Sequence, residues 1–201
     1  MNGPDRLADG ALYDRFLRGE TSAYDQLMIR HGDSLTRYLY GYLHDWHEAE
    51  DLMIEAFARV MVKRPAIQEN AFKAYLFRTA RNLALRFRER RSRLQFFSVD
   101  GMETEIADSL LAAGGGSASG GSPVEEDIRN DEVKRALFQC LDRIDPELRE
   151  ALWLIYFEEM SYAQAAEVMR VKVKRIDRLL VRGKREMRKE LEKEGITNAY
   201  E

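Results

Sequence analysis

Cysteine is almost missing from this chain of 201 residues, with Cys140 the only one. That excludes an intrachain disulfide framework and any zinc site built from several cysteines. Its neighbours Leu137, Phe138 and Leu141 predict a buried structural thiol. Histidine is scarce as well, limited to His31, His44 and His47. No run of eighteen apolar residues occurs, so no membrane-spanning helix is expected. The opening MNGPDRLADGALYDRF lacks the charged-then-apolar pattern of a secretion signal, which makes the cytoplasm the expected compartment. A P-loop, a Gly-rich dinucleotide motif and a nucleophilic triad are also absent, so neither a catalytic residue nor a cofactor is expected. Nothing has the alternating pattern of a strand, which leaves helices.

What is present is charge sorted into blocks. The formal net charge is only -3, yet Phe72 to Arg93 (FKAYLFRTARNLALRFRERRSR) carries Lys73 and seven arginines against one acid, Glu89. Arg170 to Lys193 is strongly basic again, and Asp45 to Glu55 is acidic. Two separated basic blocks predict two contacts with a polyanion such as DNA or RNA.

Periodicity supplies the organisation. In Tyr24 to Leu43 the apolar positions Leu27, Leu35, Tyr38, Leu39 and Tyr42 fit one helix face, with Ser22, three residues ahead of Asp25, as the expected start. Glu48 to Val62 and Phe72 to Gln95 continue the pattern, broken between them by Pro65. This predicts an N-terminal domain of about four helices over residues 11–95. Residues 96–127 include AAGGGSASGGSP, which cannot build a core and reads as a flexible linker. Helical periodicity resumes over residues 128–194, with Pro146 at a helix start. The expected fold class is all-α, two small helical domains joined by a flexible linker.

Three stretches carry chemistry. In HDWHEAEDLMIEAFARV, taken as a helix of about 100° per residue, Glu48, Asp51 and Glu55 share one face while Ala49, Met53, Ala56 and Val60 lie on another. His44, His47 and Glu48 are residue types that a metal-dependent nuclease could use, but the HExxH spacing is absent and no metal site is expected. An exposed acidic stripe beside apolar side chains suits docking on a basic protein surface. In FKAYLFRTARNLALRFRERR, Arg78, Arg81, Arg86, Arg90 and Arg91 can neutralise phosphates and Tyr75 can stack on an unpaired base. Asn82 can bond a base edge or hold neighbouring helices. Together these suit one strand of a melted duplex. In the third stretch Ser161 caps a helix running to Met169, a turn follows at Arg170 to Lys172, and a second helix starts at Val173. Ala165, Ala166, Val168, Val171, Ile176 and Leu180 are spaced to pack the two together. That is a helix-turn-helix, whose second helix enters the major groove.

The same residues resemble a known family. Asp45, Ala49, Glu50, Asp51, Leu52, Glu55, Ala56 and Phe57 are similar to the core-binding helix of bacterial sigma factors of the sigma-70 family. Tyr75, Leu76, Arg78, Ala80, Arg81, Asn82, Leu83 and Ala84 resemble the promoter-melting helix of its extracytoplasmic-function (ECF) branch, with Tyr75 replacing the usual tryptophan. The helix-turn-helix resembles the module that reads the -35 element. The resemblance implies a sigma2-like domain, a sigma4-like domain, and no catalysis by the chain itself. It implies that Asp51, Ile54 and Glu55 bind the clamp coiled coil of core RNA polymerase. Tyr75, Arg78, Arg81, Asn82 and Arg86 would then contact the -10 element, with the segment Lys63 to Phe72 capturing a flipped base. Lys174, Arg175, Asp177, Arg178 and Arg182 would contact the -35 element. The implied partners are core polymerase, promoter DNA and an anti-sigma factor. Two departures stand out. Arg170 occupies the turn's usual glycine position. Asp177 and Leu179 replace basic residues, and an acid there suits a cytosine amino group, predicting an unusual -35 sequence. The helix-turn-helix by itself would equally fit a stand-alone DNA-binding regulator.

Overall fold

The computed structural model describes residues 7–68, 70–99 and 136–195. The expected Gly/Ser linker lies outside the described residues. All described elements are helical, in two regions.

The first region holds α1 (Asp9–Leu17), α2 (Thr21–Leu43), α3 (Trp46–Lys63) and α4 (Phe72–Val99). Its core comes from apolar stripes recurring at helical spacing: Leu12, Tyr13 and Phe16 of α1, Leu27, Leu35 and Leu39 of α2, Ala49, Ala56 and Phe57 of α3, and Leu76, Phe77 and Ala80 of α4 are all buried. Buried hydroxyls are satisfied. The Tyr24 hydroxyl donates to the Phe57 carbonyl, and the Tyr13 hydroxyl to the Pro65 carbonyl at 2.9 Å. Helix α3 starts where the Asp45 carboxylate accepts from the Glu48 amide at 3.0 Å, and it stops at Arg64, left-handed at φ 42°, just before Pro65. The expected Ser22 cap is not made. Helix α2 opens two residues earlier than that cap would set, Glu20 is its N-cap, and the Ser22 hydroxyl turns back to the Glu20 carboxylate at 3.3 Å. Helix α4 runs on to Val99, past the expected end near residue 95.

The second region begins with a helix over 136–143, named α5, where Cys140 is fully buried as expected. Asp145 caps α6 (Pro146–Leu152), accepting from the Glu147 amide at 2.9 Å, with Pro146 in the first turn. Helix α6 passes directly into a π-helical turn, Trp153–Phe157, which closes with the Glu158 amide donating five residues back to the Trp153 carbonyl at 3.1 Å. Ser161 and Gln164 form a reciprocal capping box at the head of α7 (Tyr162–Met169). Arg170 then adopts the left-handed conformation, φ 57°, and α8 (Val173–Lys193) follows. The α6–α8 contact is close: a Cβ on Gly183 would meet the Leu152 side chain at 3.1 Å, so a larger residue there would require Leu152 to shift by a few tenths of an ångström. Leu179 corrects the sequence reading. It does not stand on a DNA-facing surface but is buried with Ile176 and Leu180 in the domain core.

Candidate polymerase and nucleic-acid interfaces

The acidic helix presents what the sequence promised. Asp51 is exposed and Ile54 is 54% exposed, while Leu52, Ala56 and Phe57 point inward. Asp51 makes no ion pair among the described residues, but Glu55 is tied to Arg59 one turn on, at 2.6 and 3.0 Å. Asp51, Ile54 and Glu55 are thus brought together on one side of α3, with Glu55 partly neutralised. His44 and His47 are exposed at the α2–α3 corner, and among the described residues no group of three or more His, Cys, Asp or Glu side chains is placed to hold a metal ion.

The arginine helix is divided. Tyr75, Arg78, Asn82 and Arg86 line one cavity of about 360 Å³ together with Arg59 and Lys63 of α3, and Arg170 of the second region reaches its edge. The Arg78 guanidinium lies over the Tyr75 ring, 5.0 Å from its centre. Arg81 is not part of that cavity. Its Nε donates to the Glu150 carboxylate at 2.7 Å, and Glu150 also accepts from the Tyr38 hydroxyl at 2.8 Å. Burial pulls the Arg81 guanidinium down, but the charge and hydrogen bond of Glu150 outweigh it, so the group sits above its ordinary value. Burial and the same carboxylate push the Tyr38 phenol well up, keeping it a neutral donor. Arg86, Arg90 and Arg91 are exposed, with Arg91 reaching Glu48 at 3.1 Å.

Further contacts join the two regions. Lys73 pairs with Glu158 at 2.9 Å, Ser34 donates to the same carboxylate at 2.8 Å, and Arg78 pairs with Glu167 at 2.8 Å. Arg149 donates to the Gly41 carbonyl at 2.6 Å. Sequence reasoning missed these acids. Glu150 directly precedes the apolar run ALWLIYF, one signal that could have marked it as partnered.

On α8, Lys174, Arg175, Asp177, Arg178 and Arg182 are all exposed, projecting from the second helix of the helix-turn-helix. Arg175 is the exception to a free basic face. It forks onto Glu147 of α6 at 2.7 and 2.8 Å, which raises its already high pKa.

Comparison with known proteins agrees with this layout. The family model for Sigma-70 region 2 matches residues 27–94, and the one for Sigma-70 region 4 matches residues 134–187. The chain belongs to the sigma-70 family, in its ECF branch. It is 29% identical over 178 residues to the ECF RNA polymerase sigma factor SigE of Mycolicibacterium smegmatis, spanning 88% of this chain and 65% of that protein. Against the ECF RNA polymerase sigma factor SigM of Bacillus subtilis it is 24% identical over 164 residues, 82% of this chain and 92% of that one. The fold is similar to that of the sigma factor RpoE, solved in complex with the anti-sigma factor NepR from Bartonella quintana. The TM-score is 0.61 at 20% identity, covering 84% of this chain and 96% of that chain.

Proposed function

We propose that the chain works as an ECF sigma factor whose domain over residues 11–95 engages core RNA polymerase and the -10 element, and whose domain over residues 128–194 reads the -35 element. The observation that carries this is the pairing, in one chain, of an unneutralised Asp51/Ile54 face on α3 with a helix-turn-helix whose second helix exposes Lys174, Arg175, Asp177, Arg178 and Arg182. A carboxylate beside an exposed isoleucine offers a partner both charge steering and apolar burial, the combination a basic coiled coil accepts. Arg86, Arg90 and Arg91 would track phosphates, and Tyr75 with Asn82 would hold an unpaired base once Arg78 leaves the tyrosine ring. Lys174, Arg178 and Arg182 would meet the -35 element, with Asp177 accepting from a cytosine amino group. If Asp177→Ala leaves promoter preference at that element unchanged, the cytosine contact is wrong.

The chain itself performs no catalysis in this reading, since polymerase supplies the chemistry. Its place of action is the cytoplasm, and it binds without membrane insertion; among the described residues no helix is long and apolar enough to cross a membrane. RpoE, a similar fold, was solved with an anti-sigma factor, which supports a regulatory partner of that class here. Run-off transcription with purified core polymerase on genomic promoter fragments tests the whole reading. Defined transcripts that vanish with Asp51→Arg are expected. No transcripts, with DNA binding intact, would leave a stand-alone regulator.

A further inference from the structure

The cavity beside α4 is lined by charge of one sign. Arg59 and Lys63 of α3, Arg78 and Arg86 of α4, and Arg170 in the turn before α8 all reach it, and no carboxylate does. Two of the five are paired with acids that do not line it, Arg59 with Glu55 at 2.6 Å and Arg78 with Glu167 at 2.8 Å. The side chains of Lys63, Arg86 and Arg170 make no hydrogen bond or ion pair among the described residues, and neither does the Asn82 amide, which also lines the cavity. Like charges held around one hollow repel each other unless a counter-charge enters it. We propose that this cavity is a binding site for a free polyphosphate anion, the group carried by a nucleoside triphosphate or by an inorganic triphosphate chain.

Size, layout and chemistry select that ligand. At about 360 Å³ the cavity has the volume of a small-ligand site. Its cations come from three separate elements and converge on one hollow, which matches charge concentrated on neighbouring phosphates of a single small molecule. A nucleic-acid strand instead spreads its charge along its length, one phosphate per nucleotide. Guanidinium groups fork onto phosphate oxygens, Lys63 adds a point charge, and the Asn82 amide has two hydrogens to donate. Arg170 is the most telling contributor. It holds the left-handed conformation, φ 57°, which favours glycine, and glycine there would bring no charge to the cavity edge. The inference goes beyond the DNA reading of α4 and does not rest on it, because Arg59 and Arg170 have no part in that reading. Arg86 is common to both, so a bound polyphosphate and single-stranded DNA would compete for it.

The test is calorimetric titration of the full chain with ATP and, separately, with inorganic triphosphate, in about 150 mM KCl so that weak surface pairing is screened. The variant is Arg170→Gly, which removes the charge and suits the left-handed backbone, so the fold is kept. Saturable binding of at least one probe is expected, weakened by about tenfold in the variant, the size of one lost charge-assisted hydrogen bond. Equal affinity for the two probes assigns the phosphate chain alone as the ligand, and tighter binding of ATP assigns a nucleotide; the site stands in either case. No binding of either probe overturns it, and so does binding that Arg170→Gly leaves unchanged. Anisotropy with a mixed-sequence single-stranded DNA separates this from the DNA reading. The variant should bind that DNA as the parent does, and a parallel tenfold loss would make the cavity a stretch of the DNA path and overturn a separate anion site. A parent chain that binds ATP or triphosphate but not DNA would reject the DNA reading of α4 and keep the site.

Discussion

Helices α3 and α4 are neighbours in one core, yet their outer faces are treated oppositely. On α3 the candidate docking acid Asp51 faces solvent and is left without an ion-pair partner among the described residues. On α4 the first cations in line, Lys73, Arg78 and Arg81, are paired with the second region, while Arg86 and Arg90 beyond them are exposed. Both helices look equally available in the sequence. The structure shows that surface charge is a capacity, and that what else the chain folds against it decides whether the capacity is on offer.

The sharpest way to break the comparison is Asp51→Arg. It should weaken core polymerase binding by about thirtyfold or more, the size of a hot-spot loss of about 2 kcal/mol, whereas Arg78→Ala should leave that binding unchanged. A pull-down at graded polymerase concentration reads both. On α4, Arg86→Ala with Arg90→Ala removes two exposed phosphate candidates. The log–log salt slope for single-stranded DNA binding should become shallower by about 1.4, at about 0.7 for each phosphate no longer neutralised.

Arg170→Gly probes the edge where the second region meets the α4 cavity. Relief of the left-handed backbone, worth about 1–2 kcal/mol per residue, exceeds the entropy glycine adds to the unfolded chain, so a net gain of about 0.5–1 kcal/mol is expected in urea unfolding.

The smallest effect is at Asp9 on α1. Burial raises the Asp9 carboxyl, but the hydrogen bonds and charges of His31 and Arg30 outweigh it and leave it below its ordinary value of 3.8. A carboxyl depressed in the folded state contributes stability that is present above its unfolded pKa and is lost as pH falls through the folded one. Asp9→Asn should therefore make the fall in stability below about pH 4 shallower, and lower stability at neutral pH by only about 0.3 kcal/mol, because solvent screens the partly exposed pair. Thermal melts across pH would show it, with polymerase and DNA binding unaltered.

The helices were legible because their signals are local. Pro146, Ser161 and the breaker Pro65 each act within a turn of chain, and the apolar stripes repeat at a period that burial has to respect. Leu179 was misplaced by resemblance to a basic family position. Its spacing from Ile176, Gly183 and Met187 already put it on the inner face, and those three are buried with it. The ion pairs between regions could not be read at all. They join residues far apart in the chain, such as Arg81 and Glu150, and no local rule chooses one carboxylate among many as the partner of a given arginine. The same holds for the π-helical turn, which composition does not announce.

That turn has a consequence of phase. Glu150 and Glu158 stand eight positions apart, a separation that in an unbroken α-helix points two side chains about 80° away from each other at about 100° per residue. The wider turn at Trp153–Phe157 advances less per residue and winds the second carboxylate back toward the direction of the first. Among aligned relatives such a change would look like one residue inserted in a helix. Here it acts as a timing adjustment, bringing two acids into step with a row of cations spaced by a different helix.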